Sequence, residues 1–299
     1  MRPLISLCVY ILTIFVGGAL LAPWIYKLCQ TVPLLQHLAN KPFSDFVNRS
    51  LLVLALAGIW PLLRALGATS AREVGLVRLS GHSRRLFLGF LFGFLSLAIA
   101  LGIILAFQGR ELNTSAPAAK YFKHLFRAAL SGTVVSLLEE VLFRGGVFGA
   151  LRRAFSWRTA LLWSSGIYAI LHFFRSADWT GSITWHSGLE MLPLMAAGFV
   201  DLQLLFPSFL NLILVGVILA LGYQYTGNLW FSIGLHGGWV FWLKLYGFLT
   251  DKIPGANEQL WGTARLIDGW MVFFVLAITL WLTHLALKDE TPPRPCPSD

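Results

Sequence analysis

The sequence has few charged residues for its length. Charged side chains make up 12% of its 299 residues, against about 25% in a typical soluble domain. Hydrophobic residues make up 57%. A soluble domain cannot bury so much apolar surface in one core, so the composition excludes an ordinary soluble protein and favours lipid as the solvent.

Acidic residues and cysteines are also scarce. The chain has 14 Asp and Glu against 23 Lys and Arg, which gives a net charge of +9. This excess does not indicate nucleic-acid binding, because the basic residues lie mostly in short loops between apolar runs, where they set topology and contact anionic lipid. Cys8, Cys29 and Cys296 form no CxxC pair and no zinc-ligand spacing, which excludes those metal and redox motifs.

Long apolar runs dominate the chain. A helix needs about 20 apolar residues to cross a bilayer. Eight runs come close to this length: 4–26, 49–67, 86–107, 126–150, 158–174, 209–225, 228–246 and 267–287. The sequence therefore predicts an all-α polytopic membrane protein of about eight transmembrane helices, with a polar site inside the bundle. We expect a single transmembrane domain over 1–288, with a motif-bearing core at 126–246, and a disordered cytoplasmic tail at 289–299.

The first run, the stretch 190–206 and the charges of the loops bear on the topology. The first run is longer than a typical signal-peptide core and is interpreted as a retained span. The stretch 190–206 is apolar but contains Pro193 and Gly198, so we interpret it as an interfacial or re-entrant piece. The loops after spans two and four carry more Lys and Arg than the opposite loops. The positive-inside rule therefore favours cytoplasmic termini, in the cell or inner membrane.

Two carboxylates and an arginine interrupt the fourth run, in the sequence EEVLFR. Each such group costs about 2.5–3.5 kcal/mol at the bilayer centre, so it usually faces a protein interior or a water-filled cavity. Glu140 and Arg144 lie four residues apart and can pair, whereas Glu139 points about 100° away. Either Arg144 holds Glu140 while Glu139 acts, or repulsion between the carboxylates makes one a general base. A purely structural ion pair is the remaining alternative.

Two histidines lie at comparable depth in later runs. At 1.5 Å per residue, Glu140, His172 and His236 lie ~18, ~21 and ~12 Å from the cytoplasmic ends of their spans. All three therefore fall within a hydrocarbon core ~30 Å thick, which predicts one shared site. A carboxylate can deprotonate water while a histidine orients it or stabilises an oxyanion. Two His and a Glu can instead hold a divalent metal such as zinc. Both routes hydrolyse an unreactive bond such as a peptide bond.

The order of these motifs resembles that of the CPBP family, named for CAAX proteases and bacteriocin-processing enzymes. EEVLFR is similar to the family's E-E-x-x-x-R signature, Tyr168 followed by His172 to its second motif, and His236 to its third. The similarity covers residues 131–243. It implies an intramembrane endopeptidase that acts on a peptide or protein substrate, such as a CAAX-type prenylated protein or a leader peptide.

The resemblance also implies roles for the site residues. Glu140 would be the base that activates water, with His172 assisting. Glu139 would support the pair, Arg144 would fix it, and His236 would help to stabilise the oxyanion. Whether the family works through a metal or through glutamate alone is left open by the sequence.

One position departs from the family pattern. Four residues after His236, where the third motif often has Asn, the chain has Val240, which cannot donate a hydrogen bond. Either Trp239 or a backbone N–H takes that role, or activity is reduced.

The same polar residues are also found in proteins of other functions. The G-x-S-G, H-E-x-x-H and GxGD motifs of other intramembrane proteases are missing. A proton-coupled carrier is an alternative, because intramembrane Glu, Arg and His also form proton relays. A non-catalytic scaffold or immunity protein of the same fold is another.

Overall fold

The computed structural model describes residues 2–174, 176–196 and 202–290. Its helices, numbered in chain order, are α1 (Arg2–Leu12), α2 (Gly18–Thr31), α3 (Gln36–Ala39), α4 (Phe43–Ala65), α5 (Ser83–Ala106), α6 (Ala118–Glu140), α7 (Gly149–Ala154), α8 (Trp157–Leu171), α9 (Ser187–Met195), α10 (Leu202–Thr226), α11 (Trp230–Leu249), α12 (Glu258–Trp261) and α13 (Trp270–Leu287). π-Helical stretches, Thr13–Gly17 and Val141–Phe148, join α1 to α2 and α6 to α7. A 3₁₀ turn, Pro33–Leu35, precedes α3.

The predicted all-α polytopic membrane fold is confirmed. Within the described residues, the segments long and apolar enough to cross a membrane are Ile5–Thr31, Phe43–Ala65, Ser83–Ala106, Leu205–Thr226 and Trp270–Leu287. The predicted runs 126–150, 158–174 and 228–246 are also largely helical, although they are not among these five segments. The predicted total of eight spans therefore stays a prediction. These three runs carry the polar motifs, and α8 has only 15 residues.

Two predictions fall partly on residues outside the described ranges. The stretch 190–206 begins within α9 and ends within α10, but residues 197–201 are not described, so a re-entrant piece stays a prediction. Residues 291–299, with Cys296, also lie outside the description, and the predicted disordered tail is untested.

The chain divides into two compact units. The first comprises Met1–Thr69 and Ile170–Asp201, and the second Ser70–Ala169 and Leu202–Asp299. The predicted single domain over 1–288 stays a prediction. In the first unit, α2, α4 and α9 share a core in which Cys29 is buried, in keeping with its role as a small apolar residue.

A short β-ladder closes one end of the second unit. Strand β1 (Arg110–Leu112) follows α5 and pairs antiparallel with β2 (Thr250–Lys252), which follows α11. The buried Arg110 donates hydrogen bonds to the Thr250 hydroxyl at 2.8 Å and to its carbonyl at 3.0 Å. Its guanidinium also lies 5.6 Å from the ring centroid of Tyr246. These contacts join the ends of α5 and α11.

The second unit is built around α11, which packs closely against α5. Each helix carries a Gly-x-x-x-Gly pair, Gly89 with Gly93 on α5 and Gly234 with Gly238 on α11. A Cβ added to Gly234 would lie 2.0 Å from the carbonyl oxygen of Leu86, so only glycine permits this approach. Small residues at helix contacts let backbones meet in membranes. The close helix contact predicted from the glycines around His236 is therefore present.

We expect Gly234→Ala to lower the free energy of unfolding by about 1–3 kcal/mol, because the added methyl group must push α5 and α11 apart. Thermal denaturation in detergent micelles measures the loss. Gly102→Ala is the matched control, since Gly102 also lies on α5 but has open space where its Cβ would be. An equal loss in both variants would contradict the close-packing explanation.

Candidate active site

The two motif carboxylates lie where α6 changes its geometry. Glu139 and Glu140 are the last residues of α6, and the chain continues as the π-helix Val141–Phe148, which contains Arg144. π-Helical turns are rare and occur frequently at functional sites. A Cβ on Gly145 would lie 2.7 Å from the carbonyl oxygen of Val74, so this glycine lets the widened turn approach a neighbouring loop.

Glu140 is the centre of a buried ionic network. Its Oε1 accepts hydrogen bonds from Nη1 of Arg144 at 3.0 Å and from Nδ1 of His236 at 2.8 Å. The exposed fractions of Glu140, Arg144 and His236 are 0%, 2% and 4%. Because an ionised carboxylate can only accept hydrogen bonds, the proton of this contact is assigned to Nδ1 of His236. The pairing of Glu140 with Arg144 predicted from their spacing is present in the structure.

Glu139 lies beside the same histidine in a more open environment. Its Oε2 is 3.8 Å from Nε2 of His236, and its side chain is 27% exposed. Glu139 also forms a side-chain hydrogen bond with Tyr168. The imidazole of His236 therefore lies between two carboxylates, that of the fully buried Glu140 and that of Glu139, whose side chain is partly exposed although its Oε2 is buried.

Arg144 is held by an aromatic ring as well as by Glu140. Its guanidinium carbon lies 4.7 Å from the ring centroid of Tyr168, within the range of a cation–π contact. Its Nη2 lies 3.5 Å from the carbonyl oxygen of Gly216 on α10. A Cβ on Gly216 would lie 2.7 Å from Cβ of Ser165, which explains the glycine at this crossing. The sequence analysis missed Gly216, because one glycine in an apolar run carries no signal of its own.

Of the predicted site residues, the structure brings together Glu139, Glu140, Arg144 and His236, all in the second unit. His172 lies in the turn after α8 and belongs to the first unit, with an exposed side chain. Its assisting role stays a prediction.

Trp239 has a structural partner. Its indole Nε1 donates a 2.9 Å hydrogen bond to the hydroxyl of Ser96 on α5, and the side chain is buried. Val240 is buried beside it. The N–H considered as an oxyanion donor therefore already joins α11 to α5.

We expect Trp239→Phe to cost about 1 kcal/mol of stability through this lost hydrogen bond, while changing the cleavage rate less than about threefold. Thermal denaturation and a peptide cleavage assay on the same preparation test both parts. Ser96→Ala, which removes the other partner, should give the same result. A loss of about a hundredfold in rate in Trp239→Phe alone would instead make the indole an oxyanion donor.

The residues of the site also bear on whether a metal ion takes part in hydrolysis. Within residues 2–174, 176–196 and 202–290, no three His, Cys, Asp or Glu side chains are arranged to hold a metal ion. Glu139 and His236 are of a type that binds zinc. The choice between a metal and glutamate alone is therefore left to experiment.

Comparison with known proteins identified a matching family model. Residues 121–242 match the family described as type II CAAX prenyl endopeptidase Rce1-like. This match supports the resemblance of the segment to the CPBP family. The matching segment is less than half of the chain but contains all five predicted site residues. The match supports CAAX-type intramembrane protease activity in general, on peptide or protein substrates in the membrane. No curated protein and no solved structure gave a match.

Proposed function

We propose that the chain is an intramembrane endopeptidase in which Glu139 activates water and His236 stabilises the oxyanion. The observation that carries this proposal is the contrast between neighbouring carboxylates. Glu140 is fully buried and shared by Arg144 and His236, whereas Glu139 is 27% exposed beside the same ring.

The different exposure of the two carboxylates favours the interpretation in which Arg144 holds Glu140 while Glu139 acts. A general base needs access to water and an oxygen that can take a proton. Oε1 of Glu140 already accepts two hydrogen bonds, from the guanidinium of Arg144 and from Nδ1 of His236, so both of its lone pairs are in use. The geometry therefore supports Glu139 as the base and Glu140 as the residue that orients His236, in place of the assignment implied by the family resemblance.

The hydrolytic steps follow from these positions. Glu139 takes a proton from water, and the hydroxide attacks the peptide carbonyl carbon. When Nε2 of His236 is protonated, it donates to the oxygen that becomes negative, and Glu140 stabilises the resulting imidazolium through Nδ1. The C–N bond then breaks, and Glu139 returns its proton to the leaving amine. Arg144 and Tyr168 position the carboxylates, and His172 assists.

We further propose CAAX-type prenylated proteins or leader peptides as substrates. The site lies among apolar helices that suit a lipid-anchored or membrane-bound peptide. The positive-inside bias supports cytoplasmic termini and a location in the cell or inner membrane.

The test uses the full-length protein reconstituted in liposomes. Cleavage of prenylated and unprenylated peptide libraries is measured for the wild type and for Glu139→Gln, with and without a chelator. Cleavage that Glu139→Gln abolishes supports the proposal. Solute flux without cleavage would favour the carrier, and capture of a partner without cleavage would favour the scaffold or immunity protein. Loss of activity with chelator, restored by zinc, would favour the metal route.

A further inference from the structure

A groove of about 570 Å³ lies within the second unit, between α5, α6 and α11. Glycines 132, 234 and 237 form part of its wall. The hydroxyls of Thr133 and Ser136, which also line it, bond to carbonyls of their own helix. The groove therefore presents almost only apolar surface.

One end of the groove is basic. Leu79, Ser83 and Trp230 line this end, and the Trp230 indole donates a 3.0 Å hydrogen bond to the carbonyl of Val77, which fixes the loop before α5. The exposed Arg78 and Arg84 are the sequence neighbours of Leu79 and Ser83. Neither arginine forms an ion pair within the described residues, and the first turn of α5 contains no acid. This end carries unneutralised positive charge.

We propose that the groove binds a phospholipid with an anionic head group, with one acyl chain between the helices and its phosphate at Arg78 and Arg84. Charge complementarity selects the head group, since basic residues at a membrane surface attract anionic lipid. The length of the groove suits one acyl chain. The lining of α11 runs from Trp230 to Phe241, ~16 Å at 1.5 Å per residue, and one leaflet covers about half of a ~30 Å hydrocarbon core.

Phospholipid binding in this groove does not depend on protease activity. Ser136 and Gly237 of the groove wall are close in sequence to Glu140 and His236, respectively.

Native mass spectrometry of the purified protein tests the proposal, with phosphatidylglycerol and phosphatidylcholine of identical chains as probes. We expect phosphatidylglycerol to bind at least about tenfold more tightly. Replacing both arginines, R78Q with R84Q, should weaken its binding about 30-fold, at a factor of about five for each basic residue. The paired control changes Arg158 and Lys288, exposed basic residues away from the groove, to Gln and should bind as the wild type does.

A second pair of variants tests the groove itself. Thr133→Trp fills it and should reduce binding of phosphatidylglycerol at least tenfold, whereas Val134→Trp, next in sequence but outside the lining, should not. Equal binding of both lipids, or no effect of Thr133→Trp, would overturn the proposal. The proposal would also be overturned if Thr133→Trp weakened binding of a prenylated peptide but not of phosphatidylglycerol, because the groove would then hold the substrate's lipid. Glu139→Gln should bind phosphatidylglycerol normally, which separates this result from failure of the proposed protease mechanism.

Discussion

Glu139→Gln is expected to lower the peptide cleavage rate about 10³-fold and to leave thermal stability nearly unchanged. Glutamine keeps the shape of the side chain but cannot take a proton from water, and general-base catalysis contributes about 10²–10⁴-fold. Stability should survive because the Glu139 side chain is partly exposed and lies 3.8 Å from His236, beyond a direct hydrogen bond. Cleavage kinetics in liposomes and thermal denaturation measure the two quantities.

Glu111→Gln is the matched control for this prediction, since Glu111 is an exposed carboxylate on β1, outside the site. It should cleave at the wild-type rate. The assignment of the base would be reversed if Glu139→Gln remained active and Glu140→Gln lost activity at unchanged stability. That result would restore the role for Glu140 implied by the family resemblance.

Glu140→Ala is expected to lower the free energy of unfolding by about 3–5 kcal/mol. The change leaves the guanidinium of Arg144 buried, at 2% exposed, without its carboxylate. Removing one partner of a buried ion pair is strongly destabilising, because the remaining charge is no longer compensated. Thermal denaturation in detergent, followed by helical circular dichroism, measures the loss.

A paired replacement separates this charge effect from lost packing. The double variant E140L with R144M removes both charges and should recover most of the stability, because apolar residues of similar volume often replace a buried ion pair without loss. It should stay inactive, since His236 then lacks the acceptor that orients it. Glu139→Ala should cost less than Glu140→Ala, because its carboxylate is partly solvated. Equal stability of Glu140→Ala and the wild type would show that the network contributes nothing to folding.

Much of this arrangement could be predicted from the sequence, because it depends on local helix geometry. Apolar runs of spanning length predicted the helices, since lipid leaves a spanning segment few other ways to satisfy its backbone. The spacing of Glu140 and Arg144 predicted their pairing, because residues four apart share a helix face. Glycines 234 and 238 predicted a close helix contact for the same reason. Depth counting predicted that His236 would lie level with the carboxylates.

The tertiary structure alone decided how the two carboxylates differ. They are adjacent in the chain, and the pattern of residues around them does not show which one is buried. The crossing of α6 with α11 places Nδ1 of His236 on Glu140 and leaves Glu139 partly exposed. Tertiary packing also placed Tyr168 over Arg144 and formed the hydrogen bond from the Trp239 indole to Ser96. The sequence by itself determined that costly polar groups lie at one depth among apolar helices. Which group is sealed and which is open depends on contacts between distant segments, and only the packing of the helices sets these.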